Sequence, residues 1–204
     1  MMKPYYQKII SNVYADILKK PNSGKVPNYI PEIACIEEHK FGVHFTDLGL
    51  NNFGCGNFQE KFSVQSISKV FALSFVYEKL GEKLWKRVDV EPSGNPFNSL
   101  LQLEADHGIP RNPFINAGAL VICDILLEIC KNPKETLLEF IRDVAEDDEI
   151  FFNEKVAQSE MDHSYRNTAM CNFMKSFGNI HSKPNSVIDL YCHLCSIEMT
   201  CEQL

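Results

Sequence analysis

No apolar run in this chain reaches the roughly twenty residues needed to cross a bilayer. Val70 to Tyr77, its most apolar stretch, has only the length of a buried helix. The first residues, Met1 to Lys8, lack the apolar core of an export signal. A cytoplasmic protein with no membrane partner is therefore expected. Positive charge is scarce as well: 20 Lys and Arg against 27 Asp and Glu leave a net charge of −7. That sign argues against a nucleic-acid partner, which requires a basic face. No second Cys-x-x-Cys accompanies Cys192-His193-Leu194-Cys195, and without an export signal the eight cysteines do not suggest a disulfide framework. They read as reduced, mostly buried thiols. The six histidines form no ligand cluster in the sequence. Repeats and low-complexity tracts are absent. The 204 residues can bury about 70% of their unfolded surface, enough for one domain or two packed lobes.

What the chain does have is centred on Gln65-Ser66-Ile67-Ser68-Lys69, where a β-rich run gives way to a strongly apolar helix. Ser66 and Lys69 stand three residues apart, so on a helix they share a face. A serine hydroxyl needs a nearby base to become a nucleophile. A lysine serves if held neutral, and bringing its pKa from roughly 10.4 to about 7 or 8 corresponds to roughly 4 kcal/mol. Burial at a helix start supplies part of that, because the N-terminus disfavours an ammonium. On spacing alone, a helix cap at Ser66 followed by a solvated lysine is the favoured reading. This is the chain's only Ser-x-x-Lys, however, and it sits at the strand-to-helix switch used by penicillin-recognising serine enzymes.

In chain order, residues 4–19 read as an amphipathic helix with Tyr6, Ile9, Ile10, Val13, Ile17 and Leu18 near one side. An extended, proline-punctuated loop carries Tyr29. The alternation of Phe41, Val43 and Phe45 predicts a strand, Asp47 to Asn52 a turn, and Phe53 to Gly56 a second strand. Residues 67–80 are apolar nearly all round and predict a buried helix, closed by Gly81. Residues 91–118 are rich in Pro, Gly and Asn but also carry Phe and Ile, the composition of a structured loop beside a site. Asn116 in that loop suits a ligand contact and a helix N-cap, and the two roles are compatible. Helices follow over 119–130, from Pro133, over 153–177 with an interruption at 159–163, and over 187–196. Residues 197–204 read as the start of a further turn.

Several stretches together resemble the serine-dependent glutaminases of the β-lactamase and penicillin-binding-like superfamily. They are Gly24-Lys25-Val26 with Tyr29-Ile30-Pro31, Gln65 to Lys69, Val90 to Gly94 with Pro96 to Ser99, Gly108 to Gly118, Arg166-Asn167, and Cys195 to Met199. The resemblance implies an α+β fold of β-lactamase/transpeptidase type: an antiparallel sheet flanked by helices, plus a helical lobe at about residues 82–180, in a single domain over 1–204. It implies hydrolysis of L-glutamine to L-glutamate and ammonia through an acyl-enzyme. In that scheme Ser66 is the nucleophile, Lys69 the base and Tyr191 a proton relay. Tyr29, Gln65, Asn116, Glu160, Asn167 and Tyr191 match substrate contacts. No metal or organic cofactor is implied, and homo-oligomers are. The chain departs from the pattern in lacking any Lys-Ser-Gly or Lys-Thr-Gly. The family also runs roughly a hundred residues longer, so the closing C-terminal strands are expected to be missing. Alternatives are a catalytically incompetent fragment acting through oligomerisation, or a related hydrolase of β-lactams or peptides.

Overall fold

The computed structural model describes residues 3–94 and 100–204; Asn95 and the resembling segment Pro96 to Ser99 lie outside them. The elements are α1 (Lys3–Leu18), α2 (Pro31–Ala34), β1 (Gly42–Thr46), β2 (Asn52–Gly56), β3 (Phe62–Ser63), α3 (Ser68–Leu80) and α4 (Leu100–Ala105). They continue with α5 (Asn116–Ile129), α6 (Pro133–Ala145), β4 (Phe151–Phe152), α7 (Glu154–Asp162), α8 (Tyr165–Ser176), α9 (Pro184–Cys195) and β5 (Ile197–Met199). Short 3₁₀ turns, Gln65–Ile67 and Gly81–Lys86, bracket α3. Helices α4 to α8 fall within residues 82–180. No helix among the described residues is long and apolar enough to cross a membrane. Two compact units result: Met1–Ser63 with Glu198–Leu204, and Val64–Ile197.

In the first unit β1 and β2 form the expected antiparallel hairpin, Gly42 opposite Gly56 and Thr46 opposite Asn52. Asp47 organises the turn, its carboxylate accepting from the Gly49 and Asn51 N–H groups. Phe62 pairs with Met199 and Ser63 with Glu198, so residues 197–199 are a strand where the sequence suggested only a turn. Three residues with one apolar alternation carry too little periodicity to be read. Helix α1 packs on the hairpin through Tyr6, 5.3 Å from Phe45, and Tyr14, stacked 5.4 Å from Phe41. Ile9, Val13, Ile17 and Leu18 are exposed instead. Aromatic rings facing the hairpin, rather than the aliphatic stripe, decide which side of α1 turns inward.

The core of the second unit is α5, buried from Ala117 to Leu126, with α3, α6, α8 and α9 around it. The α3 helix is less enclosed than its composition suggests: Val70 and Tyr77 stay exposed while Ala72, Phe75 and Val76 are buried. Gly81 closes it at φ +54°, a conformation that suits glycine. The interruption after α7 falls at His163-Ser164. Asn153 caps α7 by accepting from the Lys155 and Val156 N–H groups.

Candidate active site

The second unit brings together Gln65, Ser66, Lys69, Asn116, Glu160, Asn167 and Tyr191. Tyr29 belongs to the first unit, where it is exposed.

The site begins with an uncommon backbone. Gln65 adopts φ +49°, a left-handed conformation that a non-glycine side chain takes only when its surroundings enforce it. The enforcing contacts come from Ser68 and from the chain around the end of α9. Val64 N–H donates to Ile197 O at 2.9 Å, and Gln65 Nε2 donates to Cys195 O at 3.3 Å. Buried Ser68 turns its hydroxyl back to donate to Gln65 O at 2.8 Å. This turn delivers Ser66 on the 3₁₀ segment just ahead of α3, not on the helix itself. Ser66 is exposed, and its hydroxyl makes no hydrogen bond among the described residues.

Lys69, one turn later, is 6% exposed. Its Nζ donates to Phe114 O at 3.0 Å and to Asn116 Oδ1 at 2.8 Å. Among the described residues no carboxylate forms an ion pair with it. Burial pushes its pKa below the ordinary lysine value. A neutral amine has two N–H donors and one lone pair. Both donors are used by oxygens, and the lone pair is left to accept a proton.

The loop before α5 sets these acceptors. Asn112 Oδ1 accepts from the Phe114 and Ile115 N–H groups. Glu91 N–H donates to Arg111 O at 2.7 Å. The loop lies so close on α5 that a Cβ at Gly118 would stand 2.0 Å from Asn112 O. Of the two roles open to Asn116, the N-cap is not taken: Ile115 occupies the cap position without a side-chain bond. Asn116 is used instead to accept from Lys69 and to donate through Nδ2 to Asn167 Oδ1 at 3.1 Å. Asn167 Nδ2 makes no hydrogen bond among the described residues, so a donor is left for a ligand.

Glu160 is 9% exposed, and its Oε1 is buried without a partner. Burial raises its pKa above the ordinary carboxylate value, while the Gln65 side-chain hydrogen bond and His163 pull it back. An unpaired buried carboxylate beside amide groups is a receptor for a cationic ligand group. The folded state binds this proton more readily than the unfolded chain, so Glu160 burdens the fold increasingly as pH rises through its raised pKa. Glu160→Gln is expected to stabilise the fold at pH 7 by about 1 kcal/mol, read as a higher thermal midpoint; an unchanged or lower midpoint would refute the unpaired carboxylate.

Tyr191 is buried on α9, and burial drives its pKa far up, so the phenol stays protonated. With Ser68, Lys69 and Cys123 it lines a cavity of about 10 Å³, the space of one water molecule.

Sequence reasoning missed Phe114 O, Ser68 and Cys195. A backbone acceptor leaves no residue-type signal, and serine or cysteine in an apolar helix reads as filler. The cysteines are all free, four of them buried. The expectation that no histidine joins a ligand cluster is corrected, since His181, Asp124 and Glu128 bring ligand atoms within 4.8 Å of one another. Arg87 already neutralises this group, pairing with buried Asp124 and, at 3.0 Å, with Glu128. Burial alone would raise Asp124. The His181 and Ser182 N–H groups and the Arg87 guanidinium outweigh it and hold the carboxyl below its ordinary value. The cluster is therefore an ion-pair hub, and a metal ion would have to displace the guanidinium.

The sequence model of the glutaminase family matches residues 24–204. The glutaminase of Christiangramia forsetii is 49% identical over 199 residues, covering 98% of this chain and 66% of its own length. That of Saccharophagus degradans is 48% identical, covering 98% and 65%. The solved structure of the probable glutaminase ybaS superposes with a TM-score of 0.92 at 24% identity, covering all of this chain and 66% of that one. The fold is thus the mixed α and β, β-lactamase-like fold of the glutaminase structures. The chain spans about two thirds of the length of the relatives it matches.

Proposed function

The chain belongs to the glutaminase family, and from that premise we propose that it hydrolyses L-glutamine to L-glutamate and ammonia through an ester on Ser66. The observation that carries this reading is Lys69: buried, free of any carboxylate partner among the described residues, and with two N–H groups held by Phe114 O and Asn116 Oδ1.

Lys69 takes the Ser66 proton, and Ser66 Oγ attacks the side-chain amide carbon. The oxyanion receives the Ser66 backbone N–H, presented at the start of a helical segment. Collapse breaks the C–N bond, the proton on Lys69 passes to the departing nitrogen, and ammonia leaves. Water, deprotonated by the same amine, attacks the γ-glutamyl ester. The C–O bond to Ser66 breaks, glutamate is released, and the hydroxyl is restored. Tyr191, across the small cavity from Lys69, assists these proton transfers.

Glu160 receives the α-ammonium, which supplies the partner its Oε1 lacks. Asn167 and Asn116 read the α-carboxylate, and Gln65 holds Glu160. Residues 1–204 act as one glutaminase-like domain, a reading supported by the unbroken family match over 24–204. The eight free cysteines support a cytoplasmic setting, and a homo-oligomer follows from the family resemblance. L-glutamine is the partner, with no metal or organic cofactor.

The test is ammonia and glutamate release when the purified chain is given L-glutamine, alongside intact mass after exposure to a diazoketone analogue of glutamine. Stoichiometric ammonia and one adduct mapping to Ser66 are expected. A folded chain that yields neither, or that is acylated by a penicillin instead, overturns the reading.

A further inference from the structure

Asn112 stands in the loop that leads into α5, and its side chain makes three hydrogen bonds among the described residues. Oδ1 accepts from the Phe114 N–H at 3.0 Å and from the Ile115 N–H at 3.1 Å. Nδ2 donates to Glu91 O at 2.9 Å. That last bond adds a third rung to two backbone ones, from Asp89 N–H to Pro110 O at 2.8 Å and from Glu91 N–H to Arg111 O at 2.7 Å. The side chain thus ties the turn to the neighbouring segment 89–91. The bond from Ile115 reaches further. The Ile115 N–H and the Phe114 carbonyl belong to one planar, trans peptide unit and point to opposite sides of it. Asn112 Oδ1 holds one side of that unit, and Lys69 Nζ donates to the other at 3.0 Å.

We propose that Asn112 is a positioning residue for the reaction: by locking the Phe114–Ile115 peptide it keeps the Phe114 carbonyl aimed at Lys69 and the amine in one orientation. The inference rests on the reading of Lys69 as the base. Of the two oxygens that hold the amine, Asn116 Oδ1 sits on a helix, and its side chain is steadied by the bond to Asn167. Phe114 O stands in a loop on an exposed residue, so its aim depends on the hydrogen bonds of its own peptide. Without an acceptor for the Ile115 N–H, that peptide is free to rotate and swing its carbonyl off Nζ. The effect is electronic as well, because a peptide whose N–H is already bonded presents a stronger acceptor at its carbonyl. An amine held by two fixed oxygens carries its lone pair in a fixed direction. One held by Asn116 alone turns about that bond. Proton transfer from Ser66 depends on the direction, and a misplacement of about 1 Å costs up to about 10²-fold in rate.

The experiment follows adduct formation at Ser66 with the diazoketone analogue at several concentrations and pH values, separating the limiting rate from half-saturation. Limiting rates are compared on the high-pH plateau, where Lys69 is neutral in every variant. Asn112→Ala is expected to lower the limiting rate about tenfold and to leave half-saturation within about twofold. Asn112→Asp keeps an oxygen for both N–H groups and loses only the donor to Glu91 O, so its limiting rate is expected within about threefold of wild type. Asn112→Ser, whose hydroxyl makes the same turn more weakly, is expected between the two and takes the place of Asn112→Ala if that variant does not fold. Asn153→Ala is the control. Asn153 caps α7 through two bonds of the same kind, so a similar fall in thermal midpoint with an unchanged limiting rate is expected. An unchanged rate in Asn112→Ala or its replacement, a loss in Asn112→Asp as large as theirs, or a loss that Asn153→Ala reproduces overturns the inference, while slow labelling of Lys69→Met leaves the base assignment standing. Full-rate labelling of Lys69→Met, or a folded wild-type chain that takes no label, overturns both.

Discussion

Ser66→Ala is expected to abolish the adduct with the glutamine analogue and to lower ammonia release by roughly 10⁶-fold, the scale seen when a serine nucleophile acting as part of a catalytic unit is removed. The size follows from chemistry. Without Oγ there is no covalent route, and the residual rate comes only from binding and oxyanion stabilisation. The same substitution should leave the fold almost untouched. Ser66 is exposed and its hydroxyl makes no hydrogen bond among the described residues, and surface changes of this kind stay within about 0.5 kcal/mol. A thermal midpoint unchanged beside a rate reduced to background is therefore the signature. Retention of even a tenth of the ammonia release would mean that another group is the nucleophile. A collapse of the fold would mean that Ser66 is a structural cap, the reading its spacing alone also allowed.

Much of this site was legible because its residues sit where periodicity changes. The two-residue alternation of Phe41, Val43 and Phe45 gave way to an apolar helix at Ser66, and that switch located both hydroxyl and amine. The burial of Lys69 followed from the apolar composition of α3, although the exposure of Val70 and Tyr77 shows that composition did not enclose the whole helix. The left-handed Gln65 was not legible, because glutamine has no intrinsic preference for that conformation. Three contacts from other positions impose it, from Ser68, Cys195 and Ile197. The Phe114 carbonyl was invisible for a similar reason: every residue carries one. Asn116 shows the opposite case, a residue with two plausible roles between which only geometry decides. The hub of Arg87, Asp124, Glu128 and His181 joins positions up to about ninety residues apart, and no local pattern in one sequence links them.

Lys69→Met isolates the second half of the mechanism. Methionine matches the length of the lysine stem but has no proton to exchange, so acylation of Ser66 is expected to fall by about 10²- to 10⁴-fold, the range for a lost general base. The pH dependence separates this from mere disturbance. In the wild-type chain acylation needs neutral Lys69, so its rate should rise with pH and level off above a pKa displaced below the ordinary lysine value of 10.5. That ascending limb should vanish in Lys69→Met. Stability carries a matching sign. Between the depressed folded pKa and 10.5 the unfolded chain binds the proton that the folded chain has lost, so unfolding free energy rises with pH through that window. Below the folded pKa both states are protonated and the slope disappears. Lys69→Met should remove that slope. It also strips Phe114 O and Asn116 Oδ1 of their donor, at a cost of about 1–3 kcal/mol for each acceptor left buried and unpaired, set against the gain from burying an apolar side chain. An ascending limb that persists in Lys69→Met would assign the base elsewhere, with Tyr191 the next group to test. A limb that vanishes together with the stability slope would tie both to one buried amine.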